Sequence, residues 1–254
     1  EDERLISTPH IMVATTGARL GKADHAALPI TTDEIVKTAQ LCRAAGAHSL
    51  HLHIRDEAGL HSLDAGRYRE VLTELSTQVP DMRIQITTES ADLFDVSEQL
   101  NCLAKVQPRW ASISVREIAR EPDLADRIYG CCAEQGTEVQ HILYDVSDIT
   151  LLNKWQHAGI VRSLQNSVLF VLGRYSEGQT SSPEDLTPML NAMPTRSQWM
   201  VCAFGRLEHD CLIEAARLGG NLRVGFENSL QDSDGNIWSD NSASVAVLKT
   251  KLGM

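Results

Sequence analysis

Short runs of apolar and β-branched residues alternate along the chain with longer stretches whose apolar positions recur every three to four residues. The short runs read as strands: HIMVAT (10–15), HSLHLHI (48–54), RIQITT (83–88), WASISV (110–115), EVQHILY (138–144), SVLFVL (167–172), QWMVCAF (198–204) and LRVGFE (222–227). The longer stretches read as amphipathic helices at about 32–45, 64–78, 93–105, 121–135, 147–158, 183–193, 206–218 and 239–251. Helix starts are signalled by Thr32 ahead of the acidic–apolar run DEIV and by Pro183 in SPEDL (182–186). Gly46, Gly136, Gly159 and Gly219 follow periodic runs, where a left-handed residue ends a helix.

Strand–helix alternation of this kind implies parallel strands joined by helical crossovers. Eight such units in 254 residues predict a single (β/α)₈ TIM barrel spanning 1–254. A doubly wound open sheet is the rival, but TTGARLGK (15–22) after the first strand lacks the GxGxxG fingerprint of dinucleotide binding. Composition is that of an ordinary globular protein, with 43% apolar and 22% charged residues. A net charge of −11 argues against a nucleic-acid groove or an anionic membrane surface. No apolar run approaches a membrane span, and the charged start EDERLISTPH has no signal-peptide core, so a cytoplasmic location is expected. The six cysteines (Cys42, Cys102, Cys131, Cys132, Cys202 and Cys211) show no CxxC spacing and read as reduced core residues.

The candidate chemistry sits in AGAHSLHLHIRDEAGLHSLD (45–64). Alternate residues of a strand share a face, so His51 and His53 point one way and Leu50, Leu52 and Ile54 the other. At the late end of a barrel strand the two imidazoles face the active-site mouth, where they are a natural pair of ligands for zinc or another divalent metal. Histidines hydrogen-bonded within a core are the plainer reading of such a pair. His48 shares their parity but lies toward the strand start and is not expected to be a ligand. Glu227, closing the eighth strand run, supplies a third ligand if it reaches across the mouth; otherwise it is a solvated carboxylate. A His₂Glu set leaves a position open for water or substrate.

GAHSLHLHIRDEAGLHSLDAGRYREVL (46–72) resembles the HxHxRD segment of the β-keto acid cleavage enzymes, which include the 3-keto-5-aminohexanoate cleavage enzyme. TGA (16–18), LPIT (28–31), IQITTE (84–89), FVLG (170–173), GGNLRVGFEN (219–228) and SDNSASVAVL (239–248) recur in the same order in that family. The resemblance spans nearly the whole chain and implies a (β/α)₈ barrel that converts a β-keto acid and acetyl-CoA into acetoacetate and a new acyl-CoA. It implies a metal, usually zinc, on His51, His53 and Glu227, and a homo-oligomer, dimer or tetramer. It further implies substrate contacts by Thr87 and Ser112, and a role for Arg223 in orienting an acid–base group or balancing enolate charge. Read without the family, Thr87 and Ser112 are ordinary strand polarity near a barrel rim.

This chain departs from the family pattern in three places. The residue after the glutamate is an aspartate in the family, proposed as the base; here it is Asn228, which accepts no proton at neutral pH. Asp145 after the fifth strand run, Glu89 after the third, or metal-bound hydroxide are then the candidate bases. Arg19 stands where the aminohexanoate enzyme has a glutamate for the substrate's amine, which inverts the preferred charge of the substrate tail. The plainer reading of Arg19 is a surface arginine paired with a loop carboxylate such as Asp24. A family segment resembling PELE appears here as VQHI (139–142). Besides the acyl-CoA-forming enzyme, two readings stand: a metal-dependent hydrolase or aldolase on a keto acid, and a catalytically impaired barrel that binds a keto acid.

Overall fold

The structure, a computed structural model, describes residue 5 and residues 7–196 and 198–254. The charged start of the chain, residues 1–4, lies outside the described residues. In chain order the strands are β1 (Ile11–Ala14), β2 (Ser49–Leu52), β3 (Ile54–Arg55), β4 (His61–Ser62), β5 (Arg83–Thr87), β6 (Trp110–Ser114), β7 (Glu138–Leu143), β8 (Ser167–Leu172), β9 (Gln198–Ala203) and β10 (Asn221–Val224). Among the described residues, all except β3 and β4 close into a parallel barrel in the order β1-β10-β9-β8-β7-β6-β5-β2. This is the expected (β/α)₈ TIM barrel. Among the described residues, no helix is long and apolar enough to cross a membrane.

The crossover helices are α1 (Thr32–Ala45), α2 (Ala65–Gln78), α3 (Val96–Val106), the short α4 (Val115–Ile118), α5 (Ala125–Gln135), α6 (Val146–His157), α7 (Leu186–Ala192), α8 (Glu208–Arg217) and α9 (Asn241–Lys251). Their starts follow capping chemistry. Thr31, one residue before the threonine that the sequence singles out, caps α1: its hydroxyl accepts from Glu34 N while Glu34 accepts from Thr31 N. Asp64, Asp95, Asp145 and Asp240 cap α2, α3, α6 and α9 through their carboxylates. Pro183 opens a 3₁₀ turn before α7. The helix expected over 121–135 is a 3₁₀ turn at Pro122–Leu124 running into α5.

Two layers of packing result. One apolar face of each strand meets the helices, as Leu50, Leu52 and Ile54 do in the core between barrel and helices. The other face fills the lumen, where Met12, Trp110, Leu169 and Met200 form an apolar cluster. The six cysteines are free, and burial pushes the Cys42, Cys102, Cys132 and Cys202 thiols up to about 12, so these behave as small apolar side chains.

Strand β10 ends at Val224, three residues earlier than the apolar run suggests, because Gly225 leaves the extended conformation at φ +145°. A Cβ on Gly225 would stand 2.2 Å from the Ala14 carbonyl oxygen of β1. The chain then turns over the end of β1: Glu227 N donates to Ala14 O (3.1 Å), and Asn228 N and Ser229 N donate to Gly225 O (both 3.0 Å). We predict that Gly225→Ala destabilises the fold by roughly 3 kcal/mol or more, since it combines a forbidden dihedral with a clash against backbone. Urea unfolding would check this; a loss below about 1 kcal/mol would show that the β10–β1 junction yields easily.

Candidate active site

Loop 15–20 is held in place before any chemistry is considered. Arg55, the arginine of HIRD, is almost fully buried and spends its guanidinium on main-chain oxygens. It donates to Gly17 O (2.7 and 3.1 Å), Leu20 O (2.8 Å), Thr16 O (3.3 Å) and Gly59 O (2.9 Å). Asp56 accepts from Ala58 N and Leu60 N (both 2.9 Å) and so shapes the turn of the β3–β4 hairpin, an element the apolar pattern does not reveal. Gly17, at φ +67°, packs against Glu227, where an added Cβ would lie 3.0 Å from the glutamate Cγ.

Above this loop, His51, His53 and Glu227 converge. His51 Nε2 and His53 Nε2 are 3.2 Å apart, His53 Nε2 is 2.9 Å from Glu227 Oε1, and His51 Nε2 is 3.6 Å from Glu227 Oε2. One candidate ligand atom from each of the three lies within 4.8 Å of the others. Glu227 does not need to stretch across the mouth. The turn at Gly225 carries it over β1, and Ala14 of β1 is in register with His51 of β2.

The imidazole of His51 is oriented from below. Its Nδ1 lies 2.7 Å from Gln85 Oε1, Gln85 Nε2 donates to Gln140 Oε1 (3.0 Å), and Gln140 Nε2 faces Met200 Sδ (3.6 Å). With Gln85 oriented this way, the His51 proton sits on Nδ1 and the Nε2 lone pair faces Glu227. Burial holds His51 down to about 3, so its ring is neutral at physiological pH. Burial works upward on Glu227, but His53, Arg223 and His51 together outweigh it and leave the carboxyl well below the usual range. Glu227 Oε2 and His53 Nδ1 have no hydrogen-bond partner although both are buried. Two imidazoles and an ionised carboxylate with an orphaned oxygen are a donor set that fits a divalent cation.

These groups open into a cavity of about 300 Å³ at the C-terminal end of the barrel. Of the residues that the sequence singles out, His51, Glu227, Arg223, Asn228, Thr87, Glu89 and Arg19 line it. Arg223 is buried, with Nη2 3.8 Å from Glu227 Oε2. Asn228 is 4% exposed, and neither its amide oxygen nor its nitrogen has a partner. Thr87 accepts from Glu89 N at 3.0 Å. Arg19 Nη1 pairs with Glu89 Oε1 at 2.7 Å, across the mouth rather than with Asp24, which instead accepts from Gly21 N. Glu89 Oε2 is 3.8 Å from His53 Nε2.

Ser112 and Asp145 do not line this cavity. Ser112 is fully buried in register with Thr87, and Ser114, two residues further along the same face, takes the place on the wall. Asp145 caps α6 and binds Arg116 Nη2 (2.8 Å) and Ser147 Oγ (2.6 Å). Partial burial works upward on its carboxyl, but these bonds leave it lowered. His48, at the foot of β2, accepts from Ile11 N through Nδ1 (2.9 Å), away from the cluster. Sequence reasoning missed Gln85, Gln140, Ser114, Tyr144 and Glu117. For the first four the signal was strand parity: each is two residues from another inward-facing position.

A family model described as beta-keto acid cleavage enzyme matches residues 10–252. The chain is 28% identical over 251 residues to the 3-keto-5-aminohexanoate cleavage enzyme of Fusobacterium nucleatum, covering 96% of this chain and 89% of that one. It is 24% identical over 249 residues to the 3-oxoadipate:acetyl-CoA acetyltransferase of Cupriavidus necator, covering 93% and 85%. Among solved structures, apo ObcA superposes with a TM-score of 0.64 at 14% identity over 88% of this chain, which spans 61% of the ObcA chain; this likeness is one of fold.

The Arg55 clamp yields a prediction independent of any ligand. Arg55→Lys removes the planar fork and orphans several carbonyls, which should cost about 2–3 kcal/mol of stability. Amide exchange in residues 16–20 should accelerate at least tenfold. Exchange rates there matching the wild type would mean that loop 15–20 holds itself.

Proposed function

Because this chain belongs to the β-keto acid cleavage enzyme family, we propose that it converts a β-keto acid and acetyl-CoA into acetoacetate and a new acyl-CoA, with His51, His53 and Glu227 holding a divalent cation, zinc in the first instance. The observation that carries the reading is the convergence of these three donors, two of which, His51 and Glu227, line the barrel-mouth cavity, in a chain whose relatives are named for β-keto acid and acetyl-CoA chemistry. A cation bound there supplies electrophilic stabilisation of the charge that develops on the substrate's keto oxygen.

The chain's own residues account for the rest of the site. Arg223, buried at the cavity floor, places a fixed positive charge next to where enolate charge grows. Asn228 offers an unpartnered amide to hydrogen-bond a substrate carbonyl or carboxylate. Thr87 and Ser114 place hydroxyl-bearing residues on the wall, with Ser112 supporting them from the layer beneath. In the reaction the substrate's C2 carbanion attacks the acetyl thioester and the CoA thiolate leaves. That thiolate then attacks the original ketone carbon, the C2–C3 bond breaks, and acetoacetate departs after C2 regains one proton. Atoms and protons balance without a further reactant.

Arg19 sets the substrate tail in this reading. It is half exposed at the mouth, and its guanidinium is already aligned by Glu89. A distal carboxylate on the substrate competes for that fork, whereas a distal ammonium is repelled by it. The relative from Cupriavidus necator is named for 3-oxoadipate, a dicarboxylic β-keto acid.

Two outcomes are expected. Zinc titrated into metal-free protein should saturate at one ion per chain, and His51→Ala or His53→Ala should weaken it at least ~100-fold, with Gln85→Leu costing ~10–100-fold. Unaltered affinity in the double histidine variant, by calorimetry, would remove the cluster as the site. With a β-keto acid panel and acetyl-CoA, mass spectrometry should detect new acyl-CoA, formed about tenfold more efficiently from dicarboxylic than from amino-substituted acids. Arg19→Gln should abolish that preference. Turnover without CoA would instead indicate a hydrolase or aldolase, and equal efficiency on both acid classes would return Arg19 to a surface role.

A further inference from the structure

We infer that Glu117, on the short helix α4, is the group that takes the C2 proton from the substrate and returns it to acetoacetate; this rests on the acyl-transfer reading above. An amide at 228 cannot take a proton, so another base must serve the cavity. Three carboxylates line it among the described residues: Glu227, Glu89 and Glu117. Glu227 belongs to the cation cluster, and Glu89 is tied to Arg19 at 2.7 Å. Glu117 is the one without an ion pair among the described residues.

The surroundings of Glu117 are built to hold its carboxyl while leaving it basic. Ser90 N donates to its two oxygens (3.2 and 3.1 Å), and Gln99 Nε2 donates to Oε1 (3.0 Å). Arg120 lies close, but its guanidinium is used elsewhere: on Ser90 Oγ, Phe94 O, Gln99 Oε1 and the Glu117 carbonyl. Arg116, on the same short helix, turns to Asp145 and Asp148. The other ionisable groups facing it are Glu89, from the loop after β5, and Tyr144, at the end of β7.

Burial first, and the Glu89 charge second, push the Glu117 carboxyl up to about 7, against the downward pull of Ser90, Arg120 and Gln99. A carboxyl in this range is ionised often enough to accept the C2 proton and acidic enough to give it back. The same group serves both steps: C2–H breaks with the proton passing to a Glu117 oxygen, and after C2–C3 cleavage that proton returns to C2.

The sign of the pH dependence follows. The base must be ionised, so kcat/KM should fall as pH drops below about 7, with Glu117 protonated in the free enzyme. Glu117→Gln in the metal-loaded full chain should lower kcat by ~10²–10⁴-fold, leave KM within threefold, and remove this acid limb. Glu117→Asp, which keeps the acid but withdraws it, should be slow yet retain the limb. Two readouts do not depend on turnover. In protein labelled with ¹³C at the glutamate carboxyls, the resonance missing from Glu117→Gln should titrate near 7; titration near the ordinary ~4 would overturn the assignment. Exchange of substrate C2 protons into D₂O without acetyl-CoA should occur in the wild type and be lost in Glu117→Gln. If Glu117→Gln makes acyl-CoA within threefold of the wild type with the limb intact, Glu117 is excluded while the acyl-transfer reading stands. If the wild type exchanges C2 protons through Glu117 but makes no acyl-CoA from any β-keto acid, the acyl-transfer reading fails and the proton-transfer assignment survives.

Discussion

The contact of Gly225 with the Ala14 carbonyl is the constraint on which the site depends. Strands β1 and β10, the first and last of the barrel in sequence, pair in parallel to close it, and their ends approach more tightly than any side chain at 225 permits. That approach turns the chain over β1 and sets Glu227 beside His51. Asn241 secures the same junction from α9: its side chain accepts from Phe226 N (2.8 Å) and donates to Thr15 O (3.1 Å). Glu208, fully buried at the start of α8, accepts from Gly225 N at 3.1 Å. Two polar side chains from separate elements, Asn241 and Glu208, thus pair with a backbone that has left its strand, which is how a buried irregular segment avoids orphaned groups.

The lumen holds both apolar and polar side chains. Met12, Trp110, Leu169 and Met200 form an apolar cluster in it, while His51, Gln85, Gln140 and Arg223 are buried polar groups. A polar layer with no water around it is costly unless its members satisfy one another. The His51–Gln85–Gln140 chain does so for three of them and, by fixing the imidazole tautomer, prepares the lone pair that the cluster needs. Burial that keeps His51 neutral and the His53 and Arg223 contacts that keep Glu227 ionised act in the same direction: both leave donor atoms free of protons.

Parity on a strand was enough to group His51 with His53, whose Nε2 atoms lie 3.2 Å apart, although β2 ends at Leu52 and His51, not His53, lines the cavity. The alternation of short and long runs was enough for the barrel. Neither signal reaches residues whose position depends on where a strand stops. Glu227 read as a strand terminus needing to cross the mouth, because the exit at Gly225 is a three-dimensional clash invisible in a one-dimensional pattern. Asp145 read as a cavity carboxylate because it follows a strand, yet a residue in that place is equally a helix cap, and the cap is what it became. Glu117 lay hidden in a four-residue helix too short for any periodicity. The arginine and aspartate of HIRD, for which the sequence suggested no role, serve the architecture: Arg55 holds loop 15–20 and Asp56 shapes the β3–β4 turn.

The formal charges around the cavity connect these features to Asn228. Glu89, Glu117 and Glu227 face Arg19, Arg174 and Arg223, so the lining balances before anything binds. Were a divalent cation held on the proposed His51–His53–Glu227 cluster, the cavity would be net positive by two, a charge that would suit a dianionic substrate and not one carrying an ammonium. A carboxylate at 228, adjacent in sequence to Glu227, would cancel half of that excess. It would also raise the cost of ionising Glu117, since like charges sharing a dry pocket oppose each other's ionisation. With an amide there, that excess would be kept, and Glu117, which burial pushes up to about 7, would face no further like charge.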